Sequence, residues 1–204
     1  MKPLRLSMRA FGPYTDEQVL DFRLLGDRSF FLIHGPTGAG KSTILDAICF
    51  ALYGETSGGE RHPSSMRSDH ASPEALTEVT FDFTLAGSGY RVTRCPDQDR
   101  VRKRGGGTTR QRPTATLWKR SENEADSSEG KVLATQWSRV TEEMERLLGF
   151  RSEQFRQVVM RPQGQFQQFL RVRSRDREQK SEPIFQTRFY RQTGGALKAP
   201  VRPG

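Results

Sequence analysis

The stretch His34-Gly-Pro-Thr-Gly-Ala-Gly-Lys-Ser-Thr43 decides how this chain folds. Its core, from Gly35 to Ser42, matches the pattern G-x-x-x-x-G-K-[ST] of a phosphate-binding loop at every position. Glycines let backbone N–H groups approach phosphate oxygens without a Cβ clash, and the lysine adds a positive charge. The pattern therefore predicts a site for a nucleoside triphosphate and Mg²⁺.

Each part of this loop has an expected task. Lys41 is expected to bind the β- and γ-phosphates, the Ser42 hydroxyl to ligate Mg²⁺ as a hard oxygen donor, and Thr43 to reach the α-phosphate. The predicted nucleotide-binding residues are Gly35, Pro36, Thr37, Gly38, Ala39, Gly40, Lys41, Ser42 and Thr43. The alternative is a glycine turn that holds no ligand, and the sequence on either side of the loop argues against it.

An apolar strand and an amphipathic helix are predicted to flank the loop. Residues 29–33 form a short continuous apolar run, which predicts a strand buried on both faces. Residues 41–53 place Ile44, Ile48 and Leu52 on one face of a helix, and Gly54 suits its C-terminal cap. A phosphate-binding loop requires this order of strand, loop and helix.

The rest of the pattern predicts further strands and two more helices. Alternation of apolar and polar residues predicts strands over 4–10 and 75–85. A further strand is predicted over 18–22, and 90–95 and 114–118 are candidates for the two strands of a hairpin. Helical spacing is expected over 137–148, where Gly149 suits the cap, and again from Ser152 to Val158.

Composition restricts the class of protein and its partners. The chain has 204 residues, enough for one large domain or two small ones. Its formal charge of +9 favours binding to polyanions, with a solvated basic surface as the alternative. Cys49 and Cys95 make neither a metal-binding spacing nor a disulfide framework. The sequence predicts no signal peptide and no membrane span, so a cytoplasmic protein is expected.

Basic residues crowd the segment between two predicted strands of a hairpin. They are Arg100, Arg102, Lys103, Arg104, Arg110 and Arg112. Without interleaved aromatic residues, they predict sequence-independent contact with the backbone of duplex DNA rather than recognition of bases. A solvated loop is an equally good interpretation, and the acidic residues between Glu122 and Glu129 would partly neutralise it.

Hydrolysis needs parts that the loop does not supply. A carboxylate near Mg²⁺ and a residue that orients the attacking water are required. The best candidate carboxylate is Asp82, but the alternation of Phe81-Asp82-Phe83 favours a solvent-facing strand residue. The chain is therefore predicted to hold half of a catalytic site.

Several spaced motifs resemble one family of ATPases. The motifs are Ala10-Phe-Gly-Pro-Tyr14, the loop running into Ile44-Leu-Asp-Ala-Ile48, Tyr53-Gly-Glu-Thr-Ser57, Met66-Arg-Ser-Asp-His-Ala71, and Phe155-Arg-Gln-Val-Val159 leading to Arg161-Pro-Gln-Gly-Gln-Phe166. Together they cover residues 1–170 and resemble the N-terminal ATPase segment of the SbcC family of SMC-like proteins. The combination of the loop with Pro-Gln-Gly is much more specific than the loop alone.

The resemblance implies a fold and a set of site residues. The implied fold is the α/β N-terminal lobe of an ABC/SMC-type P-loop NTPase head, with a mixed β-sheet around the loop helix and a helical Q-loop portion. Gln163 would be the Q-loop glutamine that contacts Mg²⁺ and the attacking water. Lys41 and Gln163 are thus the predicted catalytic residues, Ser42 and Gln163 the metal-binding ones, and ATP with Mg²⁺ the cofactors.

The resemblance also implies partners and boundaries. It implies an SbcD-type nuclease, a C-terminal lobe or second head that joins on ATP, and duplex DNA at double-strand breaks. The nucleotide-binding lobe is expected over 1–170, with the basic hairpin and acidic loop inserted at 96–131, and an irregular basic tail over 171–204 in place of the start of a coiled coil. Two alternatives stay open, a self-sufficient small P-loop NTPase or kinase and a non-catalytic DNA-binding fragment.

Overall fold

The computed structural model of the chain describes residues 1–26, 28, 30–57, 63–102, 106–120 and 130–158. The chain divides into two compact units, residues 1–152 and residues 153–204. The first unit holds the sheet and the phosphate loop. The second is described only as far as Val158.

A six-stranded sheet, in the order β2-β1-β3-β4-β7-β8, forms the frame of the first unit. Its strands are β1 (Lys2–Arg9), β2 (Gln18–Asp21), β3 (Glu78–Leu85), β4 (Ser88–Cys95), β7 (Thr114–Arg120) and β8 (Lys131–Thr135). A separate two-stranded ribbon consists of β5 (Gln98–Val101) and β6 (Thr108–Gln111). Every pairing among the described strands is antiparallel, so the parallel component expected of a mixed sheet is not among them.

Alternation along the strands separates the two faces of the sheet. On β3, Val79, Phe81 and Phe83 are fully buried and share the face that carries Arg94 of β4. Burial of apolar side chains is the main force that holds the sheet and its helices together. Strands are confirmed at each of the five predicted positions 4–10, 18–22, 75–85, 90–95 and 114–118, with ends that shift by a few residues.

Helix α1 (Lys41–Tyr53) has the bounds that the sequence predicts. It begins after Gly40 and ends at Gly54, and both glycines adopt the left-handed conformation, at φ 83° and 77°. It packs against β3 and β4, so the sheet supports the helix that follows the phosphate loop. This arrangement confirms the α/β fold.

Two further helices follow the sheet. Helix α2 (Trp137–Leu148) ends at Gly149, as predicted, and packs against α1, β7 and β8. Helix α3 (Ser152–Val158) follows. None of the helices in the described ranges is long and apolar enough to cross a lipid bilayer.

The apolar run before the phosphate loop differs from its prediction. A buried strand was expected over 29–33, but residues 30–33 form no strand, and Phe30 and Leu32 are 93% and 83% exposed. An apolar run becomes a buried strand only where neighbouring strands pair with it and cover its faces. The six strands of the sheet do not pair with this run, so the prediction was wrong for the chain as described.

Candidate functional site: the phosphate loop

The loop between residues 34 and 40 has the backbone that its glycines permit. Gly38 and Gly40 have φ of 87° and 83°, in the left-handed region that glycine adopts without a steric cost. Gly40 leads directly into α1, which places the positive end of the helix dipole at the loop. Backbone conformation and helix position thus favour an anion at this point of the chain.

Backbone donors in the loop are available to a ligand. Among the described residues, no acceptor bonds the N–H groups of Gly38, Gly40, Lys41 or Ser42. The Ser42 side chain is exposed, whereas Thr43 is buried. Free N–H groups at the start of a helix are the donors that a phosphate-binding loop presents to phosphate oxygens.

The Lys41 side chain folds back over the loop. Its Nζ donates to the carbonyl oxygens of Gly35, at 2.8 Å, and Pro36, at 2.7 Å. An ammonium group has three donors, so one remains for a ligand while the other two hold the chain across the loop. The ammonium of Lys41 thus lies across the loop from the N–H groups at the start of α1. Phosphate oxygens would lie between this positive charge and those N–H groups.

The donor set at the loop fits ATP and Mg²⁺ only in part. The Ser42 hydroxyl is the kind of hard oxygen that Mg²⁺ accepts, and Mg²⁺ usually takes its other ligands from phosphates and water. Within the described ranges, no three histidine, cysteine or acidic side chains come close enough to hold a metal ion. Among the described residues, Ser42 is thus the predicted metal ligand, without a cluster of acidic or histidine side chains to support it.

The turn at residues 10–14 packs directly on the loop. Pro13 and Tyr14 lie so close to Gly40 that a Cβ atom there would come within 2.9 Å of the proline ring and 2.6 Å of the tyrosine hydroxyl. The turn is anchored from behind by Gly12 N–H, which donates to Met66 O at 2.7 Å. Sequence reasoning found this segment only as a turn and a family motif, because its contact with the loop is tertiary.

A buried arginine holds the far end of α1. The Arg94 side chain is fully buried and donates to the carbonyl oxygens of Ala51, at 2.8 Å, and Leu52, at 3.1 Å. It also donates to Thr141 Oγ1 at 3.0 Å, and its guanidinium lies 4.7 Å from the ring centroid of Trp137. Burial lowers the pKa of Arg94 to about 9, so it is still a cation at neutral pH.

The carboxylate singled out in the sequence has a structural role. Asp82 is buried rather than solvent-facing, and it accepts two hydrogen bonds from Arg91, at 2.7 and 2.8 Å, with Arg120 at 3.6 Å. Its position on β3 puts it on the sheet face opposite Phe81 and α1. The prediction of solvent exposure was wrong because two cationic neighbours compensate the buried charge.

Among the predicted DNA-binding residues, Arg100 lies on β5 and Arg110 on β6, while Arg102 and Arg112 each follow the end of one of these strands. Arg100, Arg102, Arg110 and Arg112 are exposed, while Lys103 and Arg104 lie outside the described residues. Arg110 forms an ion pair with Asp97, and Arg102 Nε donates to Thr108 O at 3.0 Å. Arg100 and Arg112 are therefore the least engaged of these arginines within the described part of the chain.

Several predicted features lie outside the described residues. They include Gln163 and the Pro-Gln-Gly motif, the acidic stretch at 121–129 and the tail at 171–204. The role of Gln163, and its position relative to Lys41, therefore stay predictions.

Comparison with known proteins identifies a family. A family model described as an AAA domain matches residues 5–193. The C subunit of nuclease SbcCD from Vibrio cholerae is 48% identical over 198 residues, which are 97% of this chain and 19% of that relative. Proteins of the same name from Lactococcus lactis and Staphylococcus aureus are 40% and 33% identical, over 98% and 99% of this chain.

The comparisons confirm the resemblance that the sequence motifs indicate. The chain spans about a fifth of the length of the curated relatives it matches. The match extends beyond residue 158, so it includes the segment that carries the Pro-Gln-Gly motif.

Proposed function

The chain belongs to the AAA domain family, and from that premise we propose that it is the ATP-binding portion of an SbcC-type ATPase that acts with an SbcD-type nuclease on DNA ends. The observation that carries the proposal is the phosphate loop. It combines a full sequence match, N–H donors at the start of α1 that have no acceptor in the described part of the chain, and the ammonium of Lys41 across the loop.

In this proposal the loop residues bind and orient the triphosphate of ATP. The N–H groups of Gly38, Gly40 and Lys41 donate to phosphate oxygens, and the Lys41 ammonium takes the β- and γ-phosphates as acceptors. Ser42 Oγ would hold Mg²⁺, which would supply charge neutralisation at the transferred phosphoryl group. Gln163 orients the attacking water, since an amide offers both a donor and an acceptor.

We further propose that a second lobe completes the site. Residues 30–33 lead straight into the loop, yet their apolar side chains are exposed. Exposed apolar surface of this kind is typical of an interaction site, and strands from a C-terminal lobe would pair with the run and cover it. The same lobe, or a second head, would bring the carboxylate that hydrolysis needs.

Duplex DNA is the proposed polyanionic partner. The ribbon formed by β5 and β6 carries exposed arginines, and the net charge of the chain is +9. Contacts between arginine and the phosphate backbone do not depend on base sequence, which suits a protein that acts on DNA ends in general.

The proposed function is tested in the full assembly of the SbcC-type protein and its nuclease. Lys41→Ala is expected to abolish ATP-dependent processing of DNA ends, because the phosphates lose their charged donor. Lys119→Ala is the matched control, since Lys119 is an exposed lysine on β7 outside the loop. End processing that survives Lys41→Ala would refute the proposal, and appreciable turnover by the 204-residue chain alone would favour a self-sufficient NTPase.

A further inference from the structure

The hydroxyl of Tyr14 lies against the backbone of the phosphate loop. Its oxygen is 3.4 Å from the carbonyl oxygen of Ala39 and 3.3 Å from that of Gly40, so its single hydrogen is shared between two successive carbonyls. No other hydrogen-bond partner of this hydroxyl lies among the described residues.

The two carbonyls fix the direction of two N–H groups. A trans peptide bond is planar, and its C=O and N–H point in opposite directions. When the carbonyls of Ala39 and Gly40 point towards Tyr14, the N–H groups of Gly40 and Lys41 point away from it. These two N–H groups have no acceptor among the described residues, so they are directed donors without a partner in that part of the chain.

The backbone around Tyr14 holds the hydroxyl in place. The carbonyl oxygen of Ala10, at the start of the turn, accepts from Ser68 N–H and from Thr77 Oγ1, both at 2.9 Å. Tyr14 N–H closes the turn on Phe11 O at 3.1 Å. The ring of Tyr14 is therefore carried by a segment tied to two other parts of the chain.

Close packing makes the contact specific to this loop. Gly40 has φ of 83°, and a Cβ atom there would lie 2.6 Å from the Tyr14 hydroxyl, nearer than real Cβ atoms approach. Only glycine allows the tyrosine to come this close to the loop backbone.

We propose that Tyr14 is a positioning residue of the nucleotide site, which orients the N–H groups of Gly40 and Lys41 towards the phosphates of the bound nucleotide. The inference rests on the proposed function, because it assigns Tyr14 a role in the same site. Preorganised donors bind more tightly than donors that must be ordered on binding, since the entropy of ordering is lost beforehand.

The expected effect is a loss of affinity rather than a loss of fold. Tyr14→Phe keeps the ring and removes the hydroxyl, so the dissociation constant for Mg-ATP is expected to rise about threefold to tenfold, as for one hydrogen bond. Tyr14→Ala removes the ring as well, and a larger rise is expected. Tyr53→Phe is the matched control, because its hydroxyl also donates to a backbone carbonyl, that of Phe150, but at the other end of α1.

Titration calorimetry with Mg-ATP, on the wild-type chain, Tyr14→Phe, Tyr14→Ala and Tyr53→Phe, tests the proposal. Backbone ¹⁵N relaxation at Gly40 and Lys41, measured by NMR without nucleotide, gives a second readout, because a general loss of stability would not increase the motion of these two amides alone. Larger motion of these amides and weaker binding in Tyr14→Phe, with Tyr53→Phe like wild type, are expected.

Three results would overturn the proposal. One is wild-type affinity in Tyr14→Phe, and another is an equal loss of affinity in Tyr53→Phe; each leaves the proposed function intact. If the folded wild-type chain binds no Mg-ATP, the proposed function fails and the role of Tyr14 fails with it.

Discussion

Replacing Arg94 with methionine is expected to destabilise the fold without touching the phosphate loop. Arg94 is fully buried, and its described partners are neutral: backbone carbonyls at the end of α1 and the Thr141 hydroxyl. The negative end of the helix dipole therefore balances much of its charge. Methionine has a similar length but no donors, so Arg94→Met leaves the acceptors at the end of α1 without this partner.

The size of the effect follows from two opposing contributions. Each buried acceptor left without a partner costs about 1–3 kcal/mol, and loss of the contact with Trp137 adds about 1 kcal/mol. Against this, the variant no longer buries a cation, whose desolvation costs several kcal/mol. We expect a net loss of about 2–4 kcal/mol in the free energy of unfolding.

Urea unfolding at pH 7.5, followed by tryptophan fluorescence, measures this loss. The exposed Arg100→Met on β5 is the control and is expected to change stability by less than about 0.5 kcal/mol. Because the pKa of Arg94 is lowered to about 9 in the folded protein, the unfolded chain binds more protons above that pH. The contribution of Arg94 to stability is thus flat from pH 6 to 8 and rises above pH 9. An Arg94→Met variant as stable as wild type at pH 7.5 would refute the role assigned to Arg94.

Three further predictions concern other parts of the fold. Gly54→Ala is expected to lower the unfolding free energy by about 2–4 kcal/mol, and Gly149→Ala by only about 1–2 kcal/mol. Both glycines end helices in the left-handed conformation, but only Gly54 has a side chain within 2.5 Å of the added Cβ. Equal losses for the two variants in thermal unfolding would contradict this difference in packing. Burial raises the pKa of the Cys95 thiol to about 12, so Cys95 in the folded chain should resist alkylation at pH 8 and react only after denaturation. Fast labelling of Cys95 in the native chain would show that its thiol is exposed. In salt titrations of duplex DNA binding, Arg100→Gln is expected to reduce the slope of log K against log salt by about 0.9. Arg110→Gln is expected to reduce it by less, because Arg110 already forms an ion pair with Asp97. Identical slopes in wild type and Arg100→Gln would show that Arg100 does not contact DNA phosphates.

Local chemistry made the helix and most strands predictable from the sequence. The bounds of α1 follow from Gly40 and Gly54, which mark a loop-to-helix start and a left-handed cap. Strand β3 follows from its alternation of apolar and polar residues, which puts Val79, Phe81 and Phe83 on one buried face. In these segments, neighbours along the chain carry enough information to fix the structure.

Features that depend on tertiary contacts could not be predicted from the local sequence. The apolar run at 30–33 predicts burial, but whether it becomes a strand depends on neighbours that the described residues do not supply. Asp82 follows the alternation of an exposed face, yet two arginines from other strands bury it. Likewise, no pattern in the sequence indicates that Arg94 reaches the end of α1.

The candidate site was predictable in its core and not in its surroundings. The loop motif names the phosphate-binding residues, since each position has a chemical task that limits its residue type. The contact of Tyr14 with Gly40 joins residues 26 positions apart, and only the folded chain shows it.

The most direct test of the account is Mg-ATP binding by the 204-residue chain, measured by calorimetry for wild type and Lys41→Ala, with hydrolysis followed in the same samples. Lys119→Ala serves as the control for loss of a lysine outside the loop. The account predicts binding by wild type and Lys119→Ala, affinity at least about tenfold weaker in Lys41→Ala, and negligible hydrolysis by all three. Absence of Mg-ATP binding by the folded wild-type chain would contradict it.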